Sequence, residues 1–160
     1  MILSDARLNR LSALSSVVQG IVVVVAVFVG LYQWKVQNDL ARAQNFQNIA
    51  QQAAAFNTVL LENGELLELW SSEGKGLNSD TQRRKYRELL VQWLVFHENV
   101  YHQHQRGWLD DEAYGGWQRD LEYTVQHHDL RVIGSNAVDL FPGGFGQLLE
   151  QLGGPRRTAG

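Results

Sequence analysis

The chain has 160 residues, a formal net charge of -3 and no cysteine. This length is enough for one domain of ordinary size, but not for two once a membrane segment is set aside. The mild net charge is typical of neither a nucleic-acid-binding protein nor an acidic disordered tail, so we expect no nucleic-acid partner. The lack of cysteine excludes a disulfide framework, a thiolate nucleophile and a cysteine-ligated metal site.

A short N-terminal flank, residues 1–10, precedes an uncharged apolar run of 24 residues from Leu11 to Trp34. As a helix this run would span roughly 36 Å, against a bilayer hydrocarbon core of about 30 Å. In lipid the backbone groups must be satisfied within the segment, so a helix is expected although valine is a modest helix former. Tyr32 and Trp34 lie where interfacial aromatic residues are common. The run therefore predicts a single transmembrane helix over 11–34.

The main alternative for the apolar run is a cleaved signal peptide, because Arg7 and Arg10 precede it. Residues 31–34 are bulky where a cleavage site needs small side chains, so an uncleaved anchor is preferred. Orientation is left open by the positive-inside rule, since Lys35 and Arg42 balance the two arginines on the other flank.

The helix is expected to continue past the membrane, because no proline or glycine occurs from Lys35 to Asn63. Small and apolar residues recur there at alternating steps of three and four, as in a coiled-coil seam or a helix packed in a bundle. One hypothesis makes this seam a self-association surface in which Asn57 sets the register. We prefer burial against the chain's own later helices, because the pattern covers fewer than three heptads. The seam residues are Ala43, Phe46, Ala50, Ala53, Asn57 and Leu60.

Capping patterns predict the next two helices. Asn63 can cap a short apolar helix over 64–70, and Ser79 with Gln82 fits a capping box that starts a third helix over about 81–105. The third helix carries the longest apolar stripe and is predicted to be the core helix. Its stripe consists of Tyr86, Leu90, Trp93, His97, Val100 and His104.

Four cations crowd the first turns of the third helix, where the positive end of the helix dipole disfavours them. One interpretation is a solvated face whose charges pair with Glu62, Glu65 and Glu68. We prefer it because surface ion pairs contribute only about 0–1 kcal/mol and are common. The functional hypothesis is a surface for an acidic partner or for anionic lipid headgroups. The four cations are Arg83, Arg84, Lys85 and Arg87.

The stretch FHENVYHQH resembles the start of a zinc-protease motif, which needs two histidines four residues apart on one helix face. Here His97 and His102 are five apart, roughly 140° around the helix, and Tyr101 stands at the position of a second ligand. Glu98 with His102, or His97 with His104, share a face, but the remaining ligands of a metal site are missing. We therefore predict no metal, no cofactor and no catalytic residue, with His97 and His104 buried, Tyr101 near them and His102 exposed. The alternative is a small-ligand or metal sensor, or an enzyme, built on these five residues.

A fourth helix is predicted after Gly107, with Asp110 as its cap and acidic residues in its first turn. It should form a helical hairpin with the third helix. The pair Gly115–Gly116 suggests a close approach of another backbone, or simply random sequence drift. His127 and His128 should place partial positive charge at the C-terminal end of the helix. Two short helices separated by residues 142–144 complete the domain, and 153–160 is a predicted disordered tail. The inward face of the fourth helix is predicted to be Leu109, Ala113, Trp117, Leu121 and Val125.

The segments QNDLARAQNFQN, NGELLELW and RGWLDDEAYGGWQRD together resemble a group of small bacterial inner-membrane proteins of unknown function. The resemblance extends from about Leu14 to Leu152. Members of that group combine one N-terminal transmembrane helix with an all-helical domain. The resemblance implies a single-pass protein of the bacterial inner membrane with its domain on the cytoplasmic side, and it implies no activity.

The sequence thus predicts an all-α protein: one transmembrane helix that continues into a small antiparallel bundle of about four to five helices over 35–152. The function we favour is a membrane-anchored interaction or scaffold module that binds or modulates a protein partner without catalysis. Besides the lipid bilayer, the expected partner is another protein or a second copy of the chain.

Overall fold

The computed structural model describes residues 5–133 and 140–153, with side chains from residue 14 onward. All the secondary structure in these ranges is helical, which confirms the predicted all-α class for the described residues. The predicted tail, apart from Gly153, lies outside them. The elements are α1 (Asp5–Glu62), α2 (Gly64–Ser71), α3 (Asp80–Gln105), α4 (Asp111–His127), a 3₁₀ turn (Leu130–Ile133) and α5 (Gly144–Gly153).

The chain divides into two compact units, Met1–Ala43 and Gln44–Gly160. In the first unit, the described residues form part of α1, and the apolar side chains from Leu14 to Trp34 are exposed; Phe28, for example, is 68% exposed. The helix has the length and apolar composition of a membrane span. As predicted, α1 does not end where the apolar run ends, because no helix-breaking residue follows it.

In the second unit, α1 buries a different face from the predicted seam. Ile49, Ala53 and Leu60 are buried and Phe56 is half-buried, so the larger apolar side chains face the core. Burial of isoleucine and phenylalanine removes more apolar area from water than burial of alanine, which favours this face. The interpretation that the chain's own helices bury the whole seam is wrong for four of its six residues. Those exposed residues are Ala43, Phe46, Ala50 and Asn57.

The predicted helix starts are confirmed. The Asn63 side chain accepts a hydrogen bond from the Leu66 backbone N–H at 3.3 Å, and Asp110 caps α4 in the same way. At α3 the capping box is complete: Ser79 Oγ accepts from Gln82 N at 3.1 Å, and Gln82 Oε1 accepts from Ser79 N at 3.3 Å. These bonds satisfy backbone donors that have no partner inside the helix.

Glycine is required where the α2–α3 loop meets α3. Gly74 has a φ of +81°, and a Cβ atom there would lie 2.7 Å from the Tyr86 ring. Both the left-handed backbone and the contact exclude a side chain. Gly144, at the start of α5, similarly leaves room for the Tyr101 hydroxyl. The predicted close approach at Gly115 and Gly116 is absent among the described residues, since only the Arg119 side chain comes within 4 Å.

Helix α3 contributes to both apolar clusters of the second unit, as its stripe predicted. One cluster joins α3 to α4, the 3₁₀ turn and α5 around Phe145. The other joins α3 to α1 and to Leu109, and its aromatic centre is Trp93 stacked on Phe56 at 4.6 Å. Four residues of the predicted α3 stripe belong to these clusters: Tyr86, Leu90, Trp93 and Val100.

Candidate functional site

A series of polar contacts links α3 to α4. Trp93 Nε1 donates to Thr124 Oγ1 at 3.2 Å, and His97 Nε2 lies 2.9 Å from Asp120 Oδ2. Thr124 Oγ1 in turn donates to the Asp120 carbonyl at 3.0 Å. As the partner numbers rise on α3 they fall on α4, which is the pattern of the predicted helical hairpin. The contacts give the buried polar groups of Trp93, His97 and Thr124 hydrogen-bond partners. Among the described side chains, Gln103 Oε1 and His104 Nδ1 of α3 are buried without one.

His97 is 2% exposed, as predicted, and its ring meets the rings of Trp93, Phe96 and Trp117 edge-on. Its partner Asp120 was not among the predicted site residues. A signal for it existed in the sequence, because residues equally distant from a hairpin turn lie opposite one another. With the turn centred near residue 108, position 97 faces position 120.

The other histidines of the FHENVYHQH stretch have separate partners. His104 is partly buried rather than largely buried; its Nε2 lies 2.8 Å from Asp111 Oδ1 and its ring stacks on Tyr114 at 4.0 Å. His102 is 51% exposed, as predicted, and its Nε2 lies 3.9 Å from Glu98 Oε1. Each histidine thus has its own carboxylate.

Tyr101 packs on α5, where its ring centroid lies 5.8 Å from that of Phe145. In the alternative ligand cluster, His97 and His104 therefore contact two different carboxylates of α4. His102 and Glu98 lie near each other, and Tyr101 packs on α5. Among the described side chains, no three His, Cys, Asp or Glu residues lie close enough together to hold a metal ion.

His128 lies in a buried contact that the sequence did not predict. Its Nδ1 lies 2.9 Å from the Tyr86 hydroxyl, and its ring packs on Trp70 with centroids 4.2 Å apart. Burial lowers the pKa of His128, which favours its neutral form, and burial raises the pKa of Tyr86. The expectation of positive charge here is therefore wrong for His128: its ring turns into the core instead of towards the last carbonyls of α4. His127 remains exposed in the last turn.

Acid should destabilise the fold through His128. An unfolded histidine titrates near pH 6.5, so below that pH the unfolded chain takes up a proton that the folded chain resists. We expect the free energy of unfolding to fall as the pH drops from 7.5 to 5.5, and His128→Gln to reduce this fall. Urea denaturation of the full chain in detergent, monitored by tryptophan fluorescence, measures the free energy of unfolding at each pH.

His127→Gln is the matched control, since this neighbouring ring is exposed. The pH dependence of stability should change more in His128→Gln than in His127→Gln, because only the His128 ring is buried. An equal pH dependence in wild type and His128→Gln would show that His128 does not contribute to acid sensitivity.

The predicted basic surface lies on the first turns of α3 and divides into two parts. Lys85 pairs with Glu65 of α2, with Nζ 2.6 Å from Oε2, so the preferred pairing is confirmed for Glu65. Neither Glu62 nor Glu68 pairs with these four cations in the described structure. The other three cations line a shallow depression of about 520 Å³ together with Asp80 and Val132. They are Arg83, Arg84 and Arg87, and we call this set the arginine surface.

Two other hollows open on the second unit. One, about 480 Å³, lies between α1 and α3 over Phe56, Trp93 and Phe96. The other, about 590 Å³, lies between α1 and α4 and is lined by Phe46, Trp117 and several carboxylates. The first hollow is lined by no titratable side chain, whereas the second is lined by Asp110, Glu112 and Asp120.

No protein-family profile, curated protein or solved structure matches this chain.

Proposed function

We propose that the chain is a single-pass membrane protein whose second unit binds a protein partner beside the bilayer. The observation that carries this proposal is the contrast in exposure along α1. The apolar side chains of residues 14–34 are exposed, whereas Ile49 and Leu60 on the same helix are buried in the chain's own core. An exposed apolar surface of that extent marks a membrane or protein contact, and an uncharged helical run this long matches the thickness of a bilayer.

The second unit is then a small antiparallel helical bundle held at the membrane. The opposed numbering of the α3–α4 contacts supports that arrangement for its central hairpin. The resemblance to small bacterial inner-membrane proteins supports an inner-membrane location with the unit in the cytoplasm.

Binding is favoured over catalysis because of how the histidines are used. His97 and His104 pair with Asp120 and Asp111, which lie more than two turns apart on α4, so their rings do not serve one reacting centre. Three cations of α3, in contrast, remain on an open surface. Exposed charge of one sign serves recognition and steering of a partner.

A reporter fused to the C-terminus tests the topology. A fluorescent protein, which matures in the cytoplasm, is expected to give signal, and an alkaline phosphatase fusion, which needs the periplasm, is expected to be inactive. The reverse pattern would overturn the cytoplasmic location. Both fusions are first shown to resist alkaline carbonate extraction, since release by carbonate would contradict membrane anchoring itself.

A photo-crosslinking residue tests the partner. Placed at Arg84 in native membranes, it should give a protein adduct that is absent when it is placed at the exposed Gln118 on α4. Adducts of equal yield and size at both positions would contradict a specific surface.

A further inference from the structure

The charges at the start of α3 are not balanced by the rest of the second unit. Arg83 lies 3.6 Å from Asp80, with both side chains largely exposed. Among the described residues, Arg87 forms an ion pair only with its sequence neighbour Glu88, at 3.0 Å. Arg84 is exposed and makes no ion pair within the described part of the chain. Exposed pairs of this kind are weak, typically about 0–1 kcal/mol. Three guanidinium groups therefore remain available to an outside anion.

The helix geometry places these groups on one side. Arg83 and Arg87 are four residues apart and Arg84 and Arg87 three apart, so all three lie on one face. Lys85 points away from them to Glu65. The depression contains a single carboxylate, Asp80, against three cations. Arg83 lies next to the first turn of α3, where the positive end of the helix dipole adds to its field.

A neighbouring hollow of about 420 Å³ continues the surface and shares Arg83 and Val132 with it. Its own cation, Arg131, is already neutralised by Asp129 through bonds of 2.8 and 2.9 Å. The available positive charge is thus confined to the arginine surface.

We propose that the arginine surface binds an acidic peptide segment of a protein partner through its carboxylates. Guanidinium groups match carboxylates in a planar, two-bond geometry. Three of them spread over an open depression suit several carboxylates along one chain better than one compact phosphate, and Val132 offers an apolar contact to the peptide between them. The inference rests on the proposed function, because it names the partner class of the same module.

The test uses the full chain in nanodiscs of neutral phosphatidylcholine and a fluorescein-labelled octapeptide of alternating Glu and Ser. Fluorescence anisotropy is expected to show saturable binding that weakens with added salt. Replacing the three arginines by glutamine should raise the Kd at least about tenfold, since charge-assisted bonds to all three are lost. A control variant removes the same amount of charge elsewhere and should bind like the wild type. The two variants are R83Q/R84Q/R87Q and R42Q/R106Q/R119Q.

Equal weakening in both variants would overturn the proposal, because it would indicate general charge attraction. Complete displacement of the peptide by about 1 mM inorganic phosphate would also overturn the proposal, because it would indicate a site for a single small anion. So would capture of vesicles containing anionic lipid in the absence of peptide binding. Carbonate extraction and crosslinking keep the two proposals apart. If the chain resists carbonate and gives the adduct at Arg84 but does not bind the peptide, only the acidic-peptide proposal is contradicted.

Discussion

Replacement of Phe145 by alanine is expected to lower the free energy of unfolding by about 3–5 kcal/mol. Phe145 is 0% exposed, and its ring contacts Phe141 edge-on at 5.5 Å and tilts on Tyr101 at 5.8 Å. The substitution leaves a cavity that links α5 to α3, and Gly144 beside it cannot fill the space. Urea denaturation of the full chain in detergent, read by tryptophan fluorescence, measures the change.

Leu140→Ala is the control for this prediction. Leu140 lies five residues earlier in the chain and is 48% exposed. Its truncation should change stability by no more than about 1 kcal/mol. Equal losses in the two variants would mean that α5 does not pack on the core as described.

Two arginines in the middle of the apolar run should release the protein from the membrane. Val22→Arg with Val25→Arg places two charges near the centre of the run, and each opposes insertion by about 2.5–3.5 kcal/mol. The double variant is expected to move from the carbonate-resistant pellet to the soluble fraction or to aggregates. Immunoblotting of the fractions measures the distribution.

The matched variant Val22→Leu with Val25→Leu should remain in the pellet, because leucine inserts as readily as valine. If the arginine variant also resisted carbonate like this control, the run from Leu11 to Trp34 would not be the anchor.

The local signals of the sequence were reliable for the fold. Caps at Asn63, Ser79 and Asp110 located three helix starts, since each depends only on residues within one turn. The buried face of α1 was less predictable. Two stripes that share Ala53 and Leu60 fit the helical period, and they differ by a small rotation. Tertiary packing selected the one with Ile49, whose side chain has more apolar area to bury.

The polar contacts likewise include some that the sequence predicts and some that depend on tertiary packing. The burial of His97 followed from its position on the apolar stripe, but His128 did not, because its surroundings come from distant elements. Its partner Tyr86 precedes it by 42 residues, and Trp70 belongs to α2. Only the meeting of three helices removes that ring from water. The arginine surface was recognisable from charge alone, whereas the turning of Lys85 to Glu65 depended on where α2 packs.

The ladder of contacts between α3 and α4 has a mechanical consequence. If α4 slid along α3 by one turn, about 5.4 Å, the partners of Trp93, His97 and Tyr86 would all be displaced at once. Each buried polar group left without a partner costs about 1–3 kcal/mol, so the register is held at several points together. These contacts together oppose a change of register, so we expect α3 and α4 to move as one unit rather than to slide past each other.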